Sequence, residues 1–452
     1  MGESLMGKSL MSKSRTNLLL ALLVLLAAPA FAELRSLTII HTNDLHGHIQ
    51  QTDEFAGAAR IAALVDQTRQ SQPGVLVLDA GDSISGTPVS TLFQGLPIFS
   101  ILSKAGYNLG ALGNHEFDHG YKKITEFRQA AAYPLLSANA LAPDGSLIAD
   151  NASLLVQVNG IRVAVIGLIT ADTPHIITPT GNMGLVFLSP EDTLRAQVQA
   201  LQPLADLVVV LSHVGHSEER RLAAAVSDID IIIGGHSHTR VDPPVKVNNT
   251  WVVQAGYYGS HVGYLELQVD TDKHQLVDFA GQLISAADLP AADAGVAKLV
   301  AHWEQEVADI VDRPIASSDR DYSPAELQPI LEAILRRQTG ADFGFYNMGG
   351  IRDKIRQGTI TVRNIWNIEP FGNSVVTITA NGAAIRGLLE KDGGRQAYMA
   401  DIIDDQQYRL ATNSFVAAHA QQAAPQDISL NDSQLLVRDV LVDYIRDHGL
   451  SL

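Results

Sequence analysis

The chain has no cysteine among its 452 residues, which excludes every disulfide and a lipid-modified amino terminus. Basic residues are scarce relative to acids: 32 Lys and Arg stand against 49 Asp and Glu, a formal net charge of −17. That balance argues against nucleic-acid polymers as partners. It leaves a small anionic substrate open, because bound divalent cations reverse the sign of the field inside a cleft. Long apolar runs are also missing, except at the start. There Lys8, Lys13 and Arg15 precede an apolar core from Leu18 to Ala28 and the ending Ala30-Phe31-Ala32. This is the pattern of a secretory signal peptide, and its core is too short for a stable membrane anchor. The first 32 residues carry a net +2, so cleavage after Ala32 leaves a chain near −19. The expected product is periplasmic or secreted, soluble and without a membrane partner. No internal repeat or low-complexity tract interrupts it, and a monomer is the expected state.

What the sequence does contain is concentrated after apolar runs. Gly113-Asn114-His115-Glu116-Phe117-Asp118 places an amide, an imidazole and two carboxylates within a few positions. Four more clusters each end a strand-like run. Leu37 to His41 leads to Asp44-Leu45-His46-Gly47, and Val75 to Leu78 to Asp79-Ala80-Gly81-Asp82. Leu207 to Leu211 leads to Ser212-His213, and Ile229 to Ile233 to Gly234-Gly235-His236-Ser237-His238. Ligands bind beyond the carboxyl ends of strands in α/β folds, and the clusters are expected along one such edge of one sheet.

Counting ligands gives the chemistry. Asp44, His46 and His238 can hold one divalent cation, Asn114, His213 and His236 a second, and Asp82 can bridge the two. N/O ligand sets of this kind suit Mn²⁺, Zn²⁺, Co²⁺ or Fe²⁺ better than Ca²⁺. A pair of such ions clamps phosphoryl oxygens and activates water for in-line displacement, so hydrolysis of a phosphate ester or anhydride is implied. His115 would donate to charge building on the leaving oxygen, with Asp118 orienting its ring. Ser83 resembles an esterase serine but lacks a partner in a late Asp-x-x-His. His41, His48, His119, His216 and His261 lie near the motifs, where each is structural, solvated or an orienting group.

An apolar content of 46% over this length supports two or more domains. From Glu33 to about Ala286, strand runs alternate with helical patterns at Ala58 to Thr68, Lys122 to Ala132 and Pro190 to Gln202, the mark of a layered α/β domain. Leu154 to Gly167 reads as a hairpin turning at Asn159-Gly160. Residues 287–312 read as a linker with one helix, Val296 to Val311. Residues 313–452 form a second domain, with helices at Ala325 to Gln338 and Leu435 to Asp447.

Asp44-x-His46, Gly81-Asp82, Gly113-Asn114-His115-Glu116, His213 and Gly235-His236-x-His238 resemble the calcineurin-like metallophosphoesterase signature. Thr42 to Gly47 and Gly113 to Asp118, followed by a second domain, are similar to the secreted 5′-nucleotidases and periplasmic UDP-sugar hydrolases. The resemblance implies an α/β fold, a four-layer β-sandwich flanked by helices with a smaller α/β nucleotide-binding domain hinged to it. It implies release of phosphate from nucleoside 5′-monophosphates, with UDP-sugars or nucleotide anhydrides as further substrates. A 2′,3′-cyclic-nucleotide phosphodiesterase with 3′-nucleotidase activity and a low-turnover nucleotide-binding protein are the alternatives.

In the second domain Asn347-Met348-Gly349-Gly350-Ile351-Arg352 is similar to the family's nucleoside-contacting Asn-x-Gly-Gly-x-Arg segment. Pro370 to Asn373 and Ala411 to Phe415 are similar to the loops whose rings sandwich the base. The resemblance thus implies Asn347, Arg352, Phe371 and Phe415 as substrate contacts. Arg356, one helical turn beyond Arg352, is a further candidate for a substrate phosphate. The family's Gly-Gly-Asp-Gly turn after the second Phe is replaced by His419-Ala420-Gln421-Gln422, so the Asp that the resemblance would place against the sugar or base is missing.

Overall fold

The computed structural model describes residues 33–391, 402–423 and 428–450. The expected signal peptide lies outside them. Near-continuous apolar runs make strands buried on both faces, and these form two six-stranded sheets. The first runs Gln275–Ser285, His261–Asp270, Leu34–Thr42, Val75–Asp79, Leu109–Ala111, Leu135–Leu136. The second runs Val245–Val247, Thr250–Val253, Ile231–Gly234, Leu207–His213, Ile161–Ile169, Ser153–Val158. Contrary to the expectation from the strand pattern, the residue clusters do not share one sheet. Three follow strands of the first sheet and two follow strands of the second. Pairing explains why they still meet: Leu34–Thr42, Val75–Asp79 and Leu109–Ala111 are mutually parallel, as are Ile161–Ile169, Leu207–His213 and Ile231–Gly234. Each sheet thus gathers its carboxyl ends at one edge, and the two edges adjoin.

Between the sheets lies a core of Leu37, Ile39, Leu78, Val163, Val165, Val209, Leu211 and Ile233. Helix Gly57–Ser71 packs outside the first sheet, burying Ala58, Ile61, Ala62, Leu64, Val65 and Thr68 at helical spacing. Helices Pro190–Leu201 and His216–Ala225 cover the second through Leu194, Val198, Leu222 and Ala223. The result is a four-layer sandwich. The Asn159-Gly160 turn joins Ser153–Val158 to Ile161–Ile169 with φ of 49° and 81°, the left-handed pair a type I′ hairpin needs.

Helix Ala294–Val311 is more than a spacer. Its Val296, Val300, Val307 and Val311 are buried in the cluster that also holds Ile40 and Ile98 from the first half and Leu331 and Leu441 from the second. Full burial of one such side chain is worth about 1.5–3 kcal/mol, so this helix joins the two halves through packing. Beyond it, a four-stranded sheet runs Phe343–Gly344, Gln407–Asn413, Ser374–Asn381, Ile428–Leu436. Helix Pro324–Thr339 begins at a Ser323/Glu326 capping box and stops at Gly340 with φ 63°. The last helix, Val437–His448, starts later than the apolar spacing predicts, because Leu436 still pairs with Ser374 as the end of a strand. Among the described residues no helix is long and apolar enough to cross a membrane.

Candidate active site

The clusters converge through backbone hydrogen bonds that aim each imidazole. His213 Nδ1 donates to the Ala80 carbonyl at 2.8 Å, which turns Nε2 toward Asp82 Oδ2 at 3.0 Å. His46 Nδ1 lies 3.0 and 3.2 Å from the carbonyls of Ser85 and Ile84, and its Nε2 is 3.1 Å from Nε2 of His238. His236 Nδ1 comes within 2.9 Å of Asn114 Oδ1, while its backbone N–H donates to the Asp44 carboxylate. Three sets of potential ligand atoms result, each within 4.8 Å: Asp44, His46, His238; His46, Asp82, His115; and Asp82, His213, His236. Asp82 belongs to two of them.

These atoms fit a metal. With Nδ1–H bonded to a carbonyl, His46 and His213 present Nε2 as a lone pair, the tautomer a metal ligand requires. His46 Nε2 lies 3.1 Å from Nε2 of His238, and the buried His213 Nε2 lies 3.0 Å from Asp82 Oδ2, so imidazole and carboxylate donors converge at the spacing of ligands that share a cation. Electrostatics points the same way. Burial alone would lower the His213 pKa, but the Asp82 charge and hydrogen bond, with Asp44, push it up to about 10. Despite burial, Asp82 is held well below the usual carboxylate range by its imidazole neighbours, His213 first. The pocket therefore concentrates negative charge that positive charge stabilises.

The backbone is strained at the same points. Asp44, His46, Asp82, His236 and His238 all have positive φ, from 48° to 73°. Non-glycine residues adopt that region uncommonly, Asp and His more readily than most, and a group of them gathered at one place is the pattern of a functional site. A Cβ on Gly113 would overlap the Asp82 carboxylate, so only glycine lets these loops touch.

His115 sits at the rim. Its Nδ1 is 2.8 Å from Asp118 Oδ2, and its N–H donates to Asp82 Oδ1 at 2.8 Å. Burial would lower its pKa, yet Asp118 and Asp82 outweigh burial and raise it. The ring lies edge-on to His46 at 4.8 Å and flat against Phe371 at 5.6 Å. Phe371 belongs to the second half of the chain, and Arg352 arrives beside it, its Nη2 3.0 Å from His46 Nε2 and its guanidinium 5.8 Å from the Phe371 ring. Tyr258 OH donates to the Arg352 carbonyl, and Thr91 Oγ1 to that of Pro370.

Other expected substrate contacts lie further out. Phe415, Asn347 and His419 line a cavity of about 570 Å³ with Phe345 and Leu388, and His175 of the first half also reaches it. Phe415 contacts the His419 ring, and among the described residues no ring contact joins it to Phe371. Arg356 is exposed and bonds Glu54 at 2.7 Å, an ion pair across the two halves shared with Lys354. Ser83 Oγ donates to Asp79 at 2.5 Å inside the core, a poor situation for a nucleophile. His41 is fully buried beside Gly263, and His48 stacks on Tyr258 at 3.9 Å.

Comparison with known proteins decides the family. Residues 37–240 match the calcineurin-like phosphoesterase model, and residues 300–403 match the 5′-nucleotidase C-terminal domain. The chain belongs to the 5′-nucleotidase family of calcineurin-like phosphoesterases. It is 28% identical to protein UshA of Yersinia enterocolitica over 91% of each chain. It is 29% identical to a 5′-nucleotidase of Vibrio cholerae over 81% of this chain and 78% of that one. The crystal structure of a 5′-nucleotidase precursor from Thermus thermophilus superposes with a TM-score of 0.83 at 26% identity, covering 91% and 96% of the two chains. A calcineurin-like phosphoesterase domain works with divalent metal.

Several residues that serve this phosphoesterase site were given no role from the sequence, although Glu116 stands inside the Gly113 to Asp118 motif. Glu116 is buried and accepts from three backbone N–H groups, Asp82 and Gly113 through Oε2 and Ser83 through Oε1, tying the Asp82 and Asn114 loops together. Burial, with the charge of Asp82, pushes its pKa up to about 8. Asn43 spans to Gly256 and Ala255, and Glu219 accepts from the Gly235 N–H below His236. The one signal available was their position beside the candidate ligands.

Proposed function

We propose that the chain is a periplasmic or secreted 5′-nucleotidase that hydrolyses nucleoside 5′-monophosphates, with UDP-sugars and nucleotide anhydrides as further substrates. Residues 33–286 form the metal domain, 287–312 the connecting segment and 313–452 the nucleotide-binding domain. Asp44, His46 and His238 would hold one divalent cation, Asn114, His213 and His236 another, with Asp82 shared; Mn²⁺, Zn²⁺, Co²⁺ and Fe²⁺ suit the donors. When bound, such ions supply an activated water and neutralise phosphoryl oxygens.

The chain's own residues do the rest. Asp118 holds His115 Nδ1 at 2.8 Å and leaves Nε2 to donate toward charge on the leaving oxygen. Arg352 brings a fixed positive charge against His46, where a phosphate would lie. Phe371 and Phe415 offer ring faces that bind any base by its π-face, and Asn347 lines the Phe415 cavity. The observation that carries the reading is the meeting of Arg352 and Phe371 with His46 and His115, which joins a base-binding half to a phosphate-cleaving half.

Hydrolysis of AMP, 3′-AMP, cyclic 2′,3′-AMP, UDP-glucose and p-nitrophenyl phosphate, with products separated by chromatography because the cyclic ester and the anhydride open to monoesters before any free phosphate appears, tests it. AMP should be preferred over 3′-AMP and the cyclic ester. Phe371→Ala or Phe415→Ala should raise KM for AMP by one to two powers of ten, the loss of about 1–3 kcal/mol of stacking. Arg352→Ala should follow the same pattern, with a larger effect on AMP than on the small ester. Equal losses on AMP and p-nitrophenyl phosphate would remove these residues from base recognition.

A further inference from the structure

Phe371 lies on a loop and Phe415 in the first turn of helix Ser414–Ala423. One leads into strand Ser374–Asn381 and the other follows strand Gln407–Asn413, and these strands pair with Val375 opposite Asn413. Asn373 stands between the two segments, nine-tenths buried, and uses both ends of its amide. Nδ2 donates to Glu369 Oε1 at 2.7 Å, while Oδ1 accepts from Phe415 N at 3.2 Å and from Ser414 Oγ at 3.1 Å. Its backbone carbonyl accepts from Val437 N at 2.8 Å. Glu369 is wholly buried, and its Oε1 also accepts from the Asn373 backbone N–H at 3.4 Å. Gly372, with φ 70°, makes the left-handed step that sets Phe371 two residues before this staple. Asn413 repeats the device: Nδ2 donates to Asn347 Oδ1 at 2.8 Å, and Oδ1 accepts from Val416 N at 2.9 Å.

Resting on the nucleotide reading above, we infer that Asn373, held by Glu369, is a positioning residue for nucleoside recognition, fixing the Phe371 loop relative to the helix turn that carries Phe415 without touching substrate. The amide is suited to this work because it donates and accepts at once. A carboxylate at residue 373 would have no proton to offer Glu369, and a hydroxyl would have to serve Glu369 and both donors through a single oxygen, whereas the amide separates the two tasks onto two atoms. With the staple cut, Phe415 N loses its acceptor and the spacing of the two rings is no longer set. A displacement of about 1 Å in a binding constellation costs on the order of a hundredfold.

The test measures adenosine affinity by calorimetry, with kcat and KM for AMP and p-nitrophenyl phosphate, in the parent, Asn373→Ala, Glu369→Gln and Glu369→Ala. Asn373→Ala should weaken adenosine binding tenfold or more and raise KM for AMP while kcat for AMP falls less than threefold. Glu369→Gln should resemble the parent, since its amide oxygen still accepts from Asn373 Nδ2, and Glu369→Ala should resemble Asn373→Ala. Parent-like adenosine binding in Asn373→Ala overturns the positioning role. A parent that neither binds adenosine nor prefers AMP overturns the nucleotide reading instead, and the two failures are thereby distinct. Should Asn373→Ala lose its cooperative melting transition, Ser414→Ala removes one donor to Oδ1, together with the acceptor of the Ser374 N–H, and keeps the Asn373 amide. It must then weaken adenosine by at least threefold, and a parent-like value overturns the proposal.

Discussion

Asp82→Ala should empty both candidate metal positions together and lower hydrolysis of every phosphate ester by more than about a thousandfold, the scale of metal-assisted catalysis. The reason is geometric. Asp82 Oδ2 faces His213 Nε2 at 3.0 Å and His46 Nε2 at 3.8 Å, so one carboxylate serves ligand atoms that arrive from both sheets. Its Oδ1 also accepts from the His115 N–H. Metal content by mass spectrometry separates the outcomes. Loss of about half the bound metal would show that Asp82 serves one position and is not shared. Asp82→Asn keeps an acceptor for His115 N–H and controls for collapse of the loop; it should hold the fold yet still lose metal, because the shared negative charge is gone. Exhaustive chelation of the parent should reproduce the loss of activity, and Mn²⁺ or Co²⁺ should reverse it. Hydrolysis that persists without metal and stops with a serine-directed reagent would overturn the metal assignment, although Ser83, bonded to Asp79 in the core, has no geometry for that chemistry.

The candidate ligands were legible because each follows a buried strand, and apolar runs are the strongest local signal a sequence carries. Asp44, Asp82, Asn114, His213 and His236 could therefore be placed at strand ends without a structure. Sheet membership could not. Leu207–His213 and Val75–Asp79 have the same all-apolar character, and nothing local says that they pair in different sheets. Strands such as Gln275–Ser285, with alternating half-exposed residues, carry too weak a pattern to reveal that they cover an edge. The left-handed backbone at Asp44, His46, Asp82, His236 and His238 was hidden for a similar reason, since tertiary contacts rather than local propensity hold residues there.

In the second half the lesson concerns charge and amides. Arg352 and Arg356 are four residues apart and look equivalent in sequence. Only the folded chain sends the first to His46 and the second to Glu54. Asn373 and Glu369 read as ordinary polar residues near a turn. Their roles depend on strands that close a gap of about forty residues between Phe371 and Phe415, and spacing along the chain does not show such a gap closing.

His115→Asn should leave metal content unchanged and lower kcat by about 10²–10⁴-fold, the usual worth of a group that donates to a leaving oxygen. The prediction discriminates because the geometry permits two roles. His115 lies within ligand distance of His46 and Asp82, so its imidazole has the reach to bind metal. Its partner argues otherwise. Where His46 and His213 turn Nδ1 to backbone carbonyls, His115 turns it to the Asp118 carboxylate at 2.8 Å, a charged partner that stabilises the imidazolium a proton donor needs. Asparagine is short of the leaving oxygen and cannot carry a positive charge, yet its backbone N–H still donates to Asp82, so the loop keeps its anchor. A drop in bound metal would make His115 a ligand, and undiminished kcat would make it a bystander. Asp118→Asn supplies the companion test. The amide retains a hydrogen-bonding oxygen but withdraws the charge, so kcat should fall less than in His115→Asn, and the double variant should be no worse than His115→Asn alone. Losses that add would show that Asp118 acts on something other than this imidazole.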